Sequence, residues 1–308
     1  TYSNHYLVSP GYLQPTIGQI FLPVYGLYDN YTNTVNLTYR FSDHSSKTST
    51  VTIKTSAFDD PCGYKTPTVL QARSNTTSLS YDYFLVKARC SAFSPAIIDS
   101  DGRLRWVGPP GIADLPPGFF TIAFYQANGA NLVRLDLDGL KTVLRDYSDI
   151  GVTELHHNID RGKTGLIIDV TTTSYVESTN LEVDAAGNIL KTWDLAAIIS
   201  AAMIAGGDDP SQFVFRAPVD WFHNNGVAYN RADDSLVISS RENFVICIDY
   251  DTGAIKWILG DPTKKWHQFP SLARYALPLP PRSLPPIVQP SPPSPLSQRQ
   301  VAFANAFF

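Results

Sequence analysis

The stretch DTGAIKW at residues 251–257 contains a tight turn followed by a short strand that ends in tryptophan. The same unit recurs as DGRLRW at residues 101–106 and as DAAGNILKTW at residues 184–193, and a variant, DGLKTV, occupies residues 138–143. Glycine in such a turn adopts positive φ at little steric cost, which closes a hairpin between two strands. Four related hairpins predict repeated antiparallel sheets that pack against one another.

The hairpins are unevenly spaced, which suits four-stranded blades of a β-propeller that carry loop insertions. Four unrelated hairpins in a sandwich are the alternative. One helix is expected over Leu195–Ala205, where apolar residues precede a Gly-Gly stop. We therefore predict an all-β fold, with an N-terminal β-sandwich over residues 1–95, propeller blades over 96–275 and a proline-rich tail over 276–308.

The composition excludes some classes of function. The 308 residues contain 24 Lys and Arg against 28 Asp and Glu, and the formal net charge of −4 argues against a nucleic-acid partner. No apolar run reaches the roughly 18 residues of a membrane-spanning helix. The three cysteines allow one disulfide, for which Cys62 and Cys90 are the candidates, while Cys247 is expected to be a buried free thiol.

Two histidine-containing segments are similar to each other. Leu155-His156 matches Phe222-His223, and each pair precedes a stretch rich in Asn and Asp and then an apolar strand. Equivalent positions on the inner strands of a propeller converge on its central channel, so His156 and His223 should face one pocket. Arg241 follows the apolar strand of the second segment and is expected to reach the same pocket.

Two imidazoles and a guanidinium suit an anionic substrate such as a sulfate or phosphate ester. Arginine presents a planar fork to tetrahedral oxyanions, and histidine can donate a hydrogen bond, act as acid or base, or act as nucleophile. A metal site is disfavoured, because no carboxylate or cysteine at ligand spacing joins the two histidines. The alternative is that both histidines cap turns and bond to neighbouring backbone groups.

Several of these segments resemble the bacterial arylsulfate sulfotransferase family. The resemblance rests on DWFHNN at residues 220–225, SSR at 239–241 and KWILG at 256–260, with HH at 156–157 and LPVYGLY at 22–28. It implies an N-terminal β-sandwich joined to a six-bladed β-propeller, export to the periplasm and no cofactor. The implied reaction is PAPS-independent: a sulfuryl group moves from a phenolic sulfate ester to a phenol by a ping-pong mechanism, through a sulfated histidine.

The resemblance also implies roles for individual residues. His156 and His223 would polarise the sulfate and leaving-group oxygens, and Arg241 would neutralise the developing charge. Asn225 would help to position the ester, and His157 would replace His156 if the first motif aligns one residue later. The expected partners are phenolic sulfates and phenols, with no metal and no nucleic acid, and a homodimer is a further expectation.

The chain departs from the family pattern after Tyr275. The family's nucleophilic histidine lies on a later blade, whereas here no histidine follows Tyr275 and nine of the 23 prolines fall between Pro278 and Pro295. Proline cannot donate within a sheet, so this segment is expected to be polyproline II or disordered. We therefore expect about four of six blades and a truncation or frameshift near Ala276, which puts the activity in question.

Two other interpretations stay open at this point. The first is a non-catalytic propeller in which the histidines and Arg241 hold an anion. The second, ranked lower, is a propeller with a quinone cofactor, because residues 251–257 resemble the tryptophan-docking repeat of quinone-dependent dehydrogenases.

Overall fold

The computed structural model describes residues 13–14, 18–70, 82–86, 95–108 and 125–277 of the chain. Within them, eighteen strands form six antiparallel sheets, and two α-helices are present. The predicted all-β class is therefore confirmed. Neither of these two helices has the length and apolar character that crossing a bilayer requires.

The first half of the chain forms four small sheets. β1 (Leu13–Gln14) pairs with β2 (Gln19–Ile20), and β3 (Thr32–Arg40) forms a long hairpin with β4 (Ser46–Lys54). Two three-stranded sheets follow, made of β5 (Tyr83–Val86), β6 (Ala96–Asp99) and β7 (Leu104–Val107), and of β8 (Tyr125–Asn128), β9 (Asn131–Leu135) and β10 (Lys141–Asp146). Because β5 pairs with β6, the first of these sheets spans the predicted boundary at residue 95, and the domain limits stay predictions.

The second half forms two four-stranded sheets of the same order. The strands are β11 (Val152–Arg161), β12 (Leu166–Thr172), β13 (Thr179–Val183) and β14 (Ile189–Asp194) in the first sheet, and β15 (Asn224–Asn230), β16 (Ser235–Ser240), β17 (Phe244–Asp249) and β18 (Ile255–Gly260) in the second. Each strand pairs with the next along the chain, as in a propeller blade. β11 contacts both β8 and β15, so the first strands of successive sheets lie side by side. A closed propeller stays a prediction.

The four predicted hairpin turns have the backbone conformation that glycine allows. The φ angle is 77° at Gly102, 88° at Gly139, 86° at Gly187 and 70° at Gly253. Residues with a Cβ rarely adopt these angles. An aspartate fixes the turn: the Asp184 carboxylate accepts hydrogen bonds from two backbone amides of its own turn, at 2.8 and 2.9 Å.

The tryptophans that end two of these hairpins connect one sheet to the next. Trp106, on β7, donates from Nε1 to the carbonyl of Leu137 in the β9–β10 turn, at 2.8 Å. Trp193, on β14, donates in the same way to the carbonyl of Tyr250 in the β17–β18 turn, at 3.0 Å. The repeated unit therefore does more than close a hairpin, because its last residue also docks the neighbouring sheet.

The largest apolar core surrounds helix α1 (Leu195–Ala205), which has the bounds that the sequence predicted. The Asp194 side chain accepts from the amide of Ala197 at 3.1 Å and caps the first turn. A second short helix, α2 (Pro270–Ala273), lies beside α1. Trp266 precedes α2 and is 1% exposed, so the chain beyond β18 adds to this core.

The structure also locates the cysteines. Cys62 takes part in a disulfide, and Cys247, on β17, is a free buried thiol as predicted. Cys90, the predicted partner of Cys62, lies outside the described residues, as do the prolines between 278 and 295.

Candidate active site

Both histidine segments lie at irregular points of their strands. The pairing of β11 with β12 shifts register directly after His156, and the pairing of β15 with β16 shifts directly after Asn224. A β-bulge of this kind bends the strand and changes where its side chains point. The backbones of His157 (φ 49°) and His223 (φ 51°) are in the left-handed region, which is uncommon for residues other than glycine.

These bulges bring three imidazoles from two sheets to one place. The ring centroids of His156 and His157 are 6.0 Å apart, and those of His157 and His223 are 5.1 Å apart. The side chains are only 16%, 22% and 11% exposed, in the order of the sequence. The structure therefore places His223 beside His157, the second member of the His-His pair.

A carboxylate that the sequence did not single out lies between the three histidines. Glu177 is in the connection from β12 to β13, and its side chain is 9% exposed. Its Oε1 is 3.1 Å from Nδ1 of His156, and its Oε2 is 3.0 Å from Nε2 of His157 and 3.2 Å from Nδ1 of His223. The expectation that no carboxylate joins the histidines was wrong, because the loop after β12 folds back over the strand that carries them.

The backbone around Glu177 is fixed from both sides. Its amide donates to Oγ1 of Thr171 at 3.1 Å, and its carbonyl accepts from the amide of Asn224 at 2.9 Å. Its φ is 37°, so Glu177, His157 and His223 are three of the six non-glycine residues with positive φ in the described part of the chain. Strained backbone of this kind clusters at functional sites.

Burial and the neighbouring imidazoles act in opposite directions on Glu177. Burial disfavours the charged form, but the hydrogen bond with His157 and electrostatic attraction to the neighbouring imidazoles outweigh it, so the pKa of Glu177 lies below its usual value. Burial likewise lowers the pKa of His156, and the negative charge of Glu177 opposes that change only in part. At neutral pH, Glu177 is therefore an anion and His156 a neutral imidazole.

Two further carboxyl groups lie close to the cluster. Asp220 Oδ2 contacts Nδ1 of His223, and Asp220 Oδ1 is buried without a hydrogen bond. Asp169 is 2% exposed and lies opposite His156 in the pairing of β11 with β12. Burial raises the pKa of Asp169 well above its usual value, so this carboxyl is protonated at neutral pH.

The cluster lies within a region that matches a family model. The model described as Arylsulfotransferase (ASST) matches residues 69–278, and one described as Arylsulfotransferase Ig-like domain matches residues 5–56. The chain belongs to the arylsulfotransferase family. The resemblance found in the sequence is thereby confirmed at the level of the family.

Two curated relatives agree with this arylsulfotransferase assignment. Arylsulfate sulfotransferase AssT of Escherichia coli O6:H1 strain CFT073 is 26% identical over 211 residues, which is 54% of this chain and 34% of the relative. Arylsulfate sulfotransferase AssT of Lelliottia amnigena is 26% identical over 197 residues, 51% of this chain and 32% of the relative. The chain thus spans about a third of the length of these relatives.

The other predicted site residues lie at the edge of the histidine cluster. The amide of Arg241 donates to the carbonyl of His223 at 2.9 Å, but its side chain is 59% exposed and its Nε contacts Oε1 of Glu242 at 3.2 Å. Asn225 is exposed at the β15 bulge. Its neighbour Asn224 is fully buried and donates to Oδ1 of Asn180 at 2.8 Å. Within the described residues, the structure brings together the three histidines but not Arg241 or Asn225.

The histidine cluster also contains residue types that can ligate a metal ion. His157, Glu177 and His223 each offer one ligand atom, and the three atoms lie within 4.8 Å of one another. Sequence reasoning missed Glu177, for which no local pattern gives a signal. It also passed over Asp220, three residues before His223, although a carboxylate that close in sequence to a histidine was visible.

Proposed function

We propose that the protein is an aryl sulfotransferase that moves a sulfuryl group from a phenolic sulfate ester to a phenol, without a nucleotide donor. The observation that carries the proposal is the convergence of His156, His157 and His223 from two sheets, at two bulges, inside the region that matches the family. Imidazoles in a site of low exposure can stabilise developing charge and transfer protons.

In this proposal, the histidines act on the oxygens of the ester. His156 and His223 each contact Glu177 through Nδ1, which orients the ring and leaves Nε2 for substrate. Nε2 of His156 makes no hydrogen bond and lies 3.5 Å from Oε2 of Glu154. Because His156 is neutral at neutral pH, this nitrogen can accept the proton of the acceptor phenol. His223 polarises the sulfate.

The proposed role of Arg241 requires its side chain to turn inward. Its contact with Glu242 is exposed, and exposed ion pairs contribute about 0–1 kcal/mol, so breaking the pair costs little. The hydrogen bond from the Arg241 amide to the carbonyl of His223 keeps the backbone of Arg241 next to the cluster, which supports this role. Asn225 lies at the same rim and would contact the aryl group or ester from outside.

The proposed chemistry has two half-reactions. In the first, the bond between sulfur and the phenolic oxygen of the donor breaks, a histidine nitrogen takes the sulfuryl group, and the donor leaves as a phenol after gaining a proton. In the second, the acceptor phenol loses its proton as its oxygen bonds to sulfur, and the nitrogen–sulfur bond breaks. The family resemblance places that nucleophilic histidine on a later blade, outside this cluster, so the cluster residues stabilise charge and transfer protons in both half-reactions.

Release of a coloured phenol from a chromogenic aryl sulfate, with a second phenol as acceptor, tests the proposal. Removing one stabilising donor typically lowers kcat by about 100- to 1,000-fold. We expect losses of that order for His223→Ala and His156→Ala, and full activity for His267→Ala, whose side chain is exposed outside the cluster. Turnover that persists in both cluster variants would contradict the proposal.

Anion binding without turnover is the second candidate, because His156 and His223 keep Nε2 for a ligand while the cluster has no assigned nucleophile. Calorimetric titration with the aryl sulfate distinguishes the two. Binding that needs His223 but releases no phenol assigns the chain to this second candidate.

We further propose that the protein is exported, as the family resemblance implies, and that it forms a homodimer. The disulfide at Cys62 supports export, because disulfides persist mainly in oxidising compartments. The oligomeric state can be measured by light scattering of the purified chain.

A further inference from the structure

One ring nitrogen of His223 faces two carboxyl groups. Its Nδ1 contacts Oδ2 of Asp220 and lies 3.2 Å from Oε2 of Glu177. The side chains of His223 and Glu177 are 11% and 9% exposed, whereas that of Asp220, at 32%, lies nearer the surface. The other ionisable groups that act on the ring are imidazoles: His157, with centroids 5.1 Å apart, and His156. Negative charge is therefore concentrated on the Nδ1 side of the ring.

These contacts decide which nitrogen of His223 carries a hydrogen. A carboxylate oxygen accepts hydrogen bonds and repels a nitrogen lone pair, so a nitrogen that faces two carboxylates carries a hydrogen. Asp220 is the closer of the two groups and accepts this hydrogen. Within the described residues, Nε2 of His223 makes no hydrogen bond, so the second nitrogen stays available for a ligand.

The chain segment that joins Asp220 to His223 is held in place. Nδ2 of Asn243 donates to the carbonyl of Trp221 at 2.7 Å, and the amide of Arg241 donates to the carbonyl of His223 at 2.9 Å. The indole of Trp221 is itself 5% exposed and packs in the largest apolar core. The contact between the carboxylate and the imidazole is therefore supported by the surrounding structure.

We propose that Asp220 is the positioning residue of His223, and that it keeps a hydrogen on Nδ1 so that Nε2 is the only nitrogen that gains or loses a proton. When the ring carries both hydrogens, Nε2 donates a hydrogen bond to a sulfate oxygen, and when the ring is neutral, Nε2 is an acceptor. The catalytic aspartate of serine proteases holds its histidine in the same way. The consequence for catalysis rests on the proposed sulfotransferase function, whereas the position of the hydrogen can be measured without it.

Long-range ¹H–¹⁵N NMR of the full chain labelled with ¹⁵N-histidine tests the position of the hydrogen, since the nitrogen shift distinguishes a protonated from a bare ring nitrogen. The His223 signals are those that disappear in His223→Gln. In a titration from about pH 5 to about pH 10, we expect Nε2 of His223 to titrate while Nδ1 keeps its hydrogen. In Asp220→Asn, the amide can donate to Nδ1, so the neutral ring should carry its hydrogen on Nε2.

The matched control is Asp251→Asn, which makes the same change of charge at a carboxylate that is 69% exposed and pairs with Lys191. It should show the wild-type hydrogen positions, and circular dichroism checks that each variant is folded. Loss of the Nδ1 hydrogen of His223 in the wild type would overturn the assignment. Identical hydrogen positions in the wild type and Asp220→Asn would overturn it as well.

The turnover of an aryl sulfate gives a second readout. The corresponding aspartate-to-asparagine change in serine proteases lowers kcat by about 10,000-fold through the wrong tautomer. We expect Asp220→Asn to lower kcat by up to about that factor, and Asp251→Asn to leave it unchanged. Full kcat in an Asp220→Asn protein whose hydrogen has moved would refute the positioning role. A wild type without turnover would instead refute the proposed function, and the NMR titration would still decide the role of Asp220.

Discussion

Replacing Trp193 with phenylalanine tests whether the tryptophan that ends a hairpin holds two sheets together. Trp193 is 2% exposed, and its Nε1 donates to the carbonyl of Tyr250 at 3.0 Å. The variant leaves this carbonyl without its donor, which costs about 1–3 kcal/mol, and the smaller ring leaves a cavity that costs on the order of 1 kcal/mol more. We therefore expect the free energy of unfolding to fall by about 2–4 kcal/mol.

Urea unfolding followed by far-ultraviolet circular dichroism measures this change without relying on tryptophan fluorescence. The matched control is Trp257→Phe, because Trp257 has the same place in the last hairpin but is half-buried and makes no hydrogen bond within the described residues. Its loss should be under about 1 kcal/mol. Equal losses in the two variants would refute the idea that the Trp193 indole docks the next sheet.

Three further predictions concern buried carboxyl groups and turns. Asp169→Asn should raise the free energy of unfolding at pH 7 but not at pH 3, as measured by urea unfolding at both pH values. Burial raises the folded-state pKa of Asp169, so the contribution of this carboxyl to stability is favourable at low pH and is lost as the pH rises. Glu182→Gln should lower the free energy of unfolding at neutral pH, and this loss should disappear as the pH falls below about 4.3. Despite burial, which acts in the opposite direction, hydrogen bonds lower the folded-state pKa of Glu182, so acid unfolding of the two proteins should converge. Gly187→Ala should lower the melting temperature more than Gly207→Ala: both glycines have a φ of 86°, but an added Cβ at Gly187 lies 2.6 Å from Cβ of Arg145, whereas nothing lies within 4 Å at Gly207.

Local sequence signals predicted the elements of the fold well. The glycine turns, the strand runs around them and the helix over Leu195–Ala205 all occur where the sequence placed them. Each depends on a few neighbouring residues: glycine at positive φ, alternating apolar residues, or a capping aspartate. The sequence did not predict that Trp193 would hydrogen-bond to the next sheet, because that contact joins residues far apart in the chain.

The site was predicted less completely than the fold. The sequence indicated that His156 and His223 would meet, and His157 was named as the replacement for His156. The structure brings all three imidazoles together, because the bulge after His156 lets adjacent residues of one strand face the same point. Arg241 was expected in the pocket on the basis of its place after a strand, but its side chain instead contacts Glu242.

The sequence by itself determined the family, the all-β class and the residues with the chemistry of the site. Only the tertiary structure decided which atoms face one another. Glu177 contacts His156 and His157 because the loop between β12 and β13 folds over β11. It contacts His223 because the β15–β18 sheet packs beside the β11–β14 sheet. Electrostatic interactions and hydrogen bonds depend on distances of a few ångströms. These distances are set by the packing of the sheets and not by the spacing of residues in the sequence.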